Sequence, residues 1–265
     1  MGILNITPDS FYDGGSFYDN DAELRLEKAC ARGVAIEAEG AALIDIGGES
    51  SRPFSRDISE EEELARVIPV VKLLASRLST PLSIDTKRAS VAKKALESGA
   101  SWINDITGFS NPAMVELAVG APCRIILMHM QGRPATMQIA PHYPRGVVAT
   151  LLEWFEERVE SLIRAGVKEE AIVLDPGLGF GKSFEDNWAI LQNLALFKEL
   201  GLPILIGCSR KSFLGKSLSA TLAVNIMAHM AGVEFLRIHD VKEHREALGV
   251  VAQMQEVATH SSCPL

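Results

Sequence analysis

Eight short apolar runs, each ending in polar residues and each followed by a helical pattern, leave this chain of 265 residues few folds to choose from. They read GILN at 2–5, ALIDIGG at 42–48, PLSID at 81–85, SWIND at 101–105, CRIILMHM at 123–130, AIVLD at 171–175, PILIG at 203–207 and EFLRIHD at 234–240. Each is short and apolar at successive positions, as a strand buried on both faces should be. The segments between them carry helix signals. Ser59 with Glu62 three residues on has the form of a capping box, and the acidic run 60–63 suits a helix N-terminus. Leu152, Phe155, Val159, Leu162 and Ile163 recur at helical spacing with glutamates between them. Gly40, Gly99, Gly166 and Gly201 stand where helices should stop, a few residues before the next strand. No linker rich in Pro, Gly or Ser divides the chain, which makes two ordinary domains the weaker reading. Eight alternating units predict an α/β protein, a single (β/α)8 TIM barrel spanning 1–265 and close to the ~250 residues typical of that fold. A doubly wound sheet needs fewer strands, or a reversal that the pattern does not contain.

Charge narrows the partners. Lys and Arg number 26 against 34 Asp and Glu, a formal net charge of −8, which argues against a nucleic-acid binder with its basic face. A local cluster of cations for a small anion is compatible with that balance. The four cysteines, Cys30, Cys123, Cys208 and Cys263, lie far apart without a CxxC pair, and read as thiols of a reducing compartment. The longest charge-free run, 217–233, is too short and too polar to span a bilayer, and no basic start leads into an apolar segment. The expectation is a cytoplasmic protein with no membrane partner.

In a barrel of this kind the active site lies at the C-terminal ends of the strands. Here those ends carry Asn5, Glu49, Asp85, Asn104 with Asp105, His129, Asp175, Lys211 and His239. Arg52 follows the second run, Arg210 and Lys211 the seventh, and Arg237 and His239 end the eighth, where such barrels customarily bind phosphate. Residues two apart in a strand point to one side, so Arg237 and His239 are expected to enter the mouth together. Two inward cations without an acidic partner imply a bound anion. Asp85 and Asp175 either cap the next helix or act as buried carboxylates, and for Asp175 the following Pro176 and Gly177 weaken the capping role. A carboxylate pair with an amide, Asn104, suits a flat heterocycle with several N–H groups, such as a 2-amino-4-oxo pyrimidine. The segment DPGLGFG at 175–181 matches neither the dinucleotide nor the Walker glycine pattern. Its glycines let the backbone pass close to a ligand and expose Phe180. No histidine pair has metal-site spacing, so a metal is expected to be Mg²⁺ riding on substrate phosphate with one protein oxygen, which suits Asn5.

Taken together, the motifs GILNITPDSFYDGG (2–15), DIGGESSRP (45–53), SIDT (83–86), IND (103–105), LMHMQG (127–132), DPGLGFGK (175–182), SRKSFLG (209–215) and RIHDV (237–241) make the chain resemble the bacterial dihydropteroate synthase family over nearly its whole length. The resemblance implies condensation of 6-hydroxymethyl-7,8-dihydropterin pyrophosphate with p-aminobenzoate, giving dihydropteroate and pyrophosphate in folate biosynthesis. It implies that Asp85, Asn104, Asp175 and Lys211 hold the pterin, with Met128 and Gly207 against its ring. It assigns Mg²⁺ to Asn5, and the pyrophosphate to Ser51, Arg52, Arg237 and His239. It implies that Phe11, Pro53, Phe180 and Ser212 form the aminobenzoate pocket, closed by loops around Asp9 and Arg52. Asp85, Asp175, Lys211 and Asp9 are the catalytic candidates, and a homodimer is implied.

Several positions depart from the family's pattern. The first strand begins at the first residues given, where the family usually has residues leading in, so a start upstream or an excision from a longer chain is expected. The stretch 216–220 is short where the family carries a longer loop. Ser51 stands for the usual Thr, keeping the hydroxyl, and Phe54 for the usual Gly, adding bulk beside the aminobenzoate pocket. Two rival readings stay open at this level. A methyltetrahydrofolate–corrinoid methyltransferase shares the barrel and the pterin carboxylates but should lack the pyrophosphate cluster, and a non-catalytic paralogue would bind pterin without turnover.

Overall fold

The computed structural model describes residues 1–7, 22–50 and 57–260. Every predicted run contains a strand: β1 (Gly2–Asn5), β2 (Ile44–Gly47), β3 (Leu82–Asp85), β4 (Trp102–Asp105), β5 (Arg124–Met128), β6 (Ile172–Asp175), β7 (Leu205–Ile206) and β8 (Phe235–Leu236). The first six form one parallel sheet in sequence order, and β7 pairs with β8 in a second, also parallel. Single bridges join the two sheets on both sides, Leu174 to Ile204 and Gly2 to Ile238. Backbone bonds reinforce the second join, from Ile3 N to Ile238 O at 2.9 Å and from Ile238 N to Met1 O at 3.0 Å. The strands thus close into a ring of eight, the expected barrel. The last two runs yield only two paired residues each.

Nine α-helices are described between and after the strands: α1 (Ala22–Ala38), α2 (Glu60–Arg77), α3 (Ala89–Glu97), α4 (Pro112–Gly120), α5 (Val147–Ala165), α6 (Phe184–Gln192), α7 (Leu194–Lys198), α8 (Leu218–Met230) and α9 (Val241–His260). At the start of α2, Ser59 Oγ accepts from Glu62 N at 3.1 Å. Glu62 does not complete the box; its carboxylate pairs with Arg66 one turn on. The reciprocal box is at α6, where Ser183 and Asp186 each accept from the other's backbone, at 3.0 and 2.9 Å. In α5 the buried line is Leu151, Phe155 and Leu162, whereas Ile163 is exposed. The four predicted stop glycines all have positive φ, with Gly166 closing α5 at 107°. The short stretch before α8 enters the helix directly, with Ser217 Oγ accepting from Ala220 N at 3.3 Å.

Strand periodicity sorts the core into two layers. Ile46, Ile84, Ile103, Leu127, Leu174 and Ile206 belong to the large cluster shared with helix residues such as Val71, Ala92, Phe155 and Phe197. Leu43, Trp102, Ile126, Val173 and Leu205 form a separate cluster inside the barrel, with Met1 and Phe235 packed on it. This is the floor. The Arg124 guanidinium lies 4.4 Å over the Trp102 ring and 5.8 Å over that of Phe235. Further along the same strands, Asp45, Ser83 and Asn104 are buried polar residues, and the interior turns from apolar to polar toward the C-terminal end.

Candidate active site

Register sets the level of the site. Asn5 aligns with Gly47, Gly47 with Asp85, and Asp85 with Asn104, while Met128 aligns with Asp175. At Gly47 a β-carbon would stand 3.6 Å from both Asn5 Oδ1 and Asp85 Oδ2, so those two oxygens face the same glycine. The other strand ends turn away. Asp105 accepts from Thr107 N at 2.8 Å, Thr107 Oγ1 at 2.7 Å and Phe109 N at 3.0 Å, building the turn after β4. Glu49 pairs with Lys87 at 3.1 Å and Arg88 at 2.9 Å. His129 packs edge-on against Trp154 with ring centroids 4.9 Å apart.

Arg237 corrects an expectation. The predicted cation without an acidic partner has two: its Nε donates to Asp45 Oδ2 at 2.6 Å and its Nη2 to Asp85 Oδ2 at 2.7 Å. Burial alone would lower its pKa, but Asp45 and Asp85 outweigh that and raise it. Burial pushes the Asp85 carboxyl up to about 7; Arg237 pulls it down, while Asp45, Glu63 and Asp105 push it up. His239 meets the residue that follows Cys208 beyond β7. Its Nδ1 lies 2.9 Å from Ser209 Oγ, and its backbone N donates to the same hydroxyl at 3.2 Å. The ladder with β1 runs on past Leu236 to Ile238, so Arg237 and His239 flank a bridged residue. Arg210 is engaged at the surface by Asp240, at 2.5 Å.

Asp175 is buried, and its Oδ1 accepts from Gly177 N at 2.8 Å. Burial raises its pKa against the pull of Lys211 and that N–H. Lys211 is lowered to about 8, chiefly by burial. Its Nζ donates to Leu178 O and lies 4.4 Å from the centre of the Phe180 ring. The glycine loop between Asp175 and Lys182 is pressed onto the end of β5. A β-carbon at Gly177 would stand 2.1 Å from His129 O, and one at Gly181 2.3 Å from Gln131 O. Beneath it, buried Lys182 contacts His129 Nδ1 at 3.1 Å and donates to His129 O at 3.2 Å and Phe180 O at 3.1 Å. Burial lowers Lys182 to about 7 and His129 to about 3, so the imidazole is neutral.

Of the predicted site residues, Asn5, Asp85, Asn104, Met128, Asp175, Gly207, Lys211 and Arg237 lie at or just beyond the C-terminal ends of the strands. Phe180 meets Lys211, and Ser212 is exposed at the start of the short turn Ser212–Leu214. Asp9, Phe11, Ser51, Arg52 and Pro53 lie outside the described residues. Two residues were missed. Asp45 joins Arg237 and Asn104 deep in the barrel, and its signal was an aspartate between isoleucines in a strand otherwise buried. Lys182 had a weaker signal, a lysine directly after the glycine loop.

The arrangement offers acceptor oxygens at Asp85, Asn104 and Asp175, cations at Lys211 and Arg237, and an aromatic face at Phe180. That combination suits a flat, donor-rich ring carrying an anionic group. The chain matches the pterin binding enzyme family over residues 1–239. It is 43% identical to the dihydropteroate synthase of Escherichia coli K12 over 95% of this chain and 89% of that one. It superposes on the Yersinia pestis dihydropteroate synthase in a sulfonamide drug complex with a TM-score of 0.88, at 39% identity, covering 96% of this chain and 93% of that one. The Xanthomonas albilineans dihydropteroate synthase in complex with 7,8-dihydropteroate gives 0.84 at 37% identity, covering 96% and 92%. The chain belongs to the pterin binding enzymes, among the dihydropteroate synthases.

Proposed function

We propose that this chain joins 6-hydroxymethyl-7,8-dihydropterin pyrophosphate to p-aminobenzoate at the C-terminal mouth of its barrel. The observation that carries the reading is the ring of Asp85, Asn104, Asp175, Lys211 and Arg237 above an apolar floor. Asp175, Asn104 and Asp85 take the amino and ring N–H groups of the pterin, with Met128 and Gly207 against its plane. Lys211 neutralises Asp175 and holds Phe180 at the edge of the aminobenzoate position, with Ser212 beyond it. The methylene carbon–oxygen bond breaks with its electron pair leaving on pyrophosphate. The aromatic amine nitrogen then forms the new bond and releases its proton. Positive charge developing on the methylene is shared with the pterin and stabilised by Asp85 and Asp175, and an aromatic amine needs no strong base. His239 serves the pyrophosphate together with the remaining Arg237 donor, Nη1; Ser51, Arg52, Asp9, Phe11 and Pro53 keep the roles expected from their motifs.

Among the described residues no group of three or more His, Cys, Asp or Glu could hold a metal by itself. Asn5 Oδ1, beside Gly47 at the end of β1, is a hard oxygen donor and fits Mg²⁺, which takes most of its ligands from phosphate and water. Asn5 would hold it, and the ion would neutralise pyrophosphate charge. A second copy of the chain is the proposed partner. Met227 and Met230 on α8, with Val250, Met254 and Val257 on the neighbouring α9, are exposed apolar side chains. A cytoplasmic location is part of this reading; no helix among the described residues is long and apolar enough to cross a membrane.

The test mixes the purified chain with both substrates, with and without Mg²⁺. Dihydropteroate and pyrophosphate in equal amounts support the reading. Pterin binding without product, or methyl transfer from methyltetrahydrofolate to a corrinoid, overturns it.

A further inference from the structure

Asp45 is fully buried inside the barrel on β2, facing Ile3 on β1 and Ser83 on β3 in the sheet register. A carboxylate there demands compensation. One oxygen obtains it twice: Oδ2 accepts from Asn104 Nδ2 at 3.0 Å and from Arg237 Nε at 2.6 Å. The other, Oδ1, has no partner among the described residues, and neither has Asn104 Oδ1. A carboxylate only accepts, so it dictates which end of a neighbouring amide faces it. Asn104 must turn its NH₂ toward Asp45, and its carbonyl oxygen is thereby left as an acceptor. The same oxygen fixes the plane of the Arg237 guanidinium, whose Nη2 then meets Asp85 Oδ2 at 2.7 Å.

We propose that Asp45 is a positioning residue of the pterin site, holding the Asn104 amide so that Oδ1 is kept for a substrate N–H and orienting Arg237 toward Asp85. This rests on the reading of the cluster as a pterin site. Asp45 touches no reacting atom. It acts through two residues that do meet substrate, from strands far apart in sequence. An uncharged residue 45 would let the amide turn over and would offer an NH₂ that consumes Asn104 Oδ1.

The test is a reciprocal exchange. Asp45→Asn and Asn104→Asp are made singly and together, and binding of 6-hydroxymethylpterin is measured by calorimetry beside the KM values for both substrates. Each single variant should weaken pterin binding roughly tenfold or more, the scale of one hydrogen bond to a charged group, and leave the KM for p-aminobenzoate within about threefold. The double variant restores a donor facing an acceptor and keeps an acceptor at position 104, so it should regain most of the lost affinity. A merely structural role for Asp45 would not produce that rescue. If Asp45→Asn does not fold alone, Asn104→Asp against the double variant reads the same coupling. Single variants that bind pterin as the wild type does, or a double variant no better than the singles, overturn the assignment while the proposed function stands. A wild-type chain that binds no pterin overturns both.

Discussion

Gly177→Ala tests whether the glycine loop is set by the close approach of β5. Gly177 has φ of 67°, a region that costs an alanine about 1–2 kcal/mol. Its new methyl would stand 2.1 Å from His129 O and 3.3 Å from Met128 Cγ. The oxygen cannot withdraw easily, because the strand end is tied on both sides: His129 N donates to Asp175 O at 3.0 Å, and Lys182 donates to His129 O at 3.2 Å. Forcing that overlap apart adds roughly 1–3 kcal/mol. Gly201→Ala supplies the control. It has φ of 74°, and a methyl there meets nothing within 4 Å, so only the backbone cost applies. The expected gap between the two variants is about 2 kcal/mol, or about 4–8 °C in Tm for a domain of this size. Denaturant unfolding at one pH gives the gap directly. Turnover adds a second reading, since Gly177 N donates to Asp175 Oδ1 and Gly201 is remote from the site. Gly177→Ala should lose kcat/KM for the pterin substrate and Gly201→Ala should keep it. Equal stability losses in the two variants would refute the close-approach argument.

Three further outcomes are expected. Asp175→Asn should lower kcat/KM by about 2–4 kcal/mol, roughly 30- to 1,000-fold, because one or two charge-assisted bonds to substrate are lost; initial rates within threefold of wild type would contradict this. Arg88→Met leaves the buried Glu63 carboxylate without the cation that pairs with it, and should cost about 3 kcal/mol in urea unfolding, with Glu63→Gln recovering much of that. Burial lowers the Lys182 pKa from its ordinary 10.5 to about 7, so between those values the unfolded chain binds the extra proton. Wild-type stability relative to Lys182→Met should therefore rise from pH 7 toward pH 10, and a pH-independent difference would remove the buried cation from the account.

The strands were legible because each is buried on both faces, so apolar runs marked them without help from long-range contacts. Side-chain direction was not legible at their ends. Asn104 and Asp105 are neighbours in sequence, yet one bonds Asp45 inside the barrel and the other braces the turn to Phe109. Arg237 looked unpaired because its partners lie 152 and 192 residues away, a distance that only barrel closure removes. Asp45 was illegible for a related reason: it lies within β2, one residue inside a run of apolar neighbours, and its partners come from β4 and beyond β8. The helix caps divide similarly. Ser59 follows its local pattern, while Glu62 is drawn to Arg66, which also reaches Gly48 O at 2.8 Å.

The two bridges that close the barrel have a consequence for how the site comes into being. The chain lays down six strands as one panel and two as another, and the seams between the panels are thin. Asp45, Asp85, Asn104 and Asp175 belong to the larger panel, whereas Lys211 and Arg237 follow the strands of the smaller one. Neither panel alone is electrically balanced. Until the seams zip, Asp45 and Asp85 lack the Arg237 guanidinium, and Arg237 lacks both carboxylates. The ion pairs from Arg237 to Asp45 and Asp85 are therefore a clasp across the closing edges. Parting the two panels would break these ion pairs together with the bridges, so the charged cluster of the site is also part of what keeps the cylinder shut.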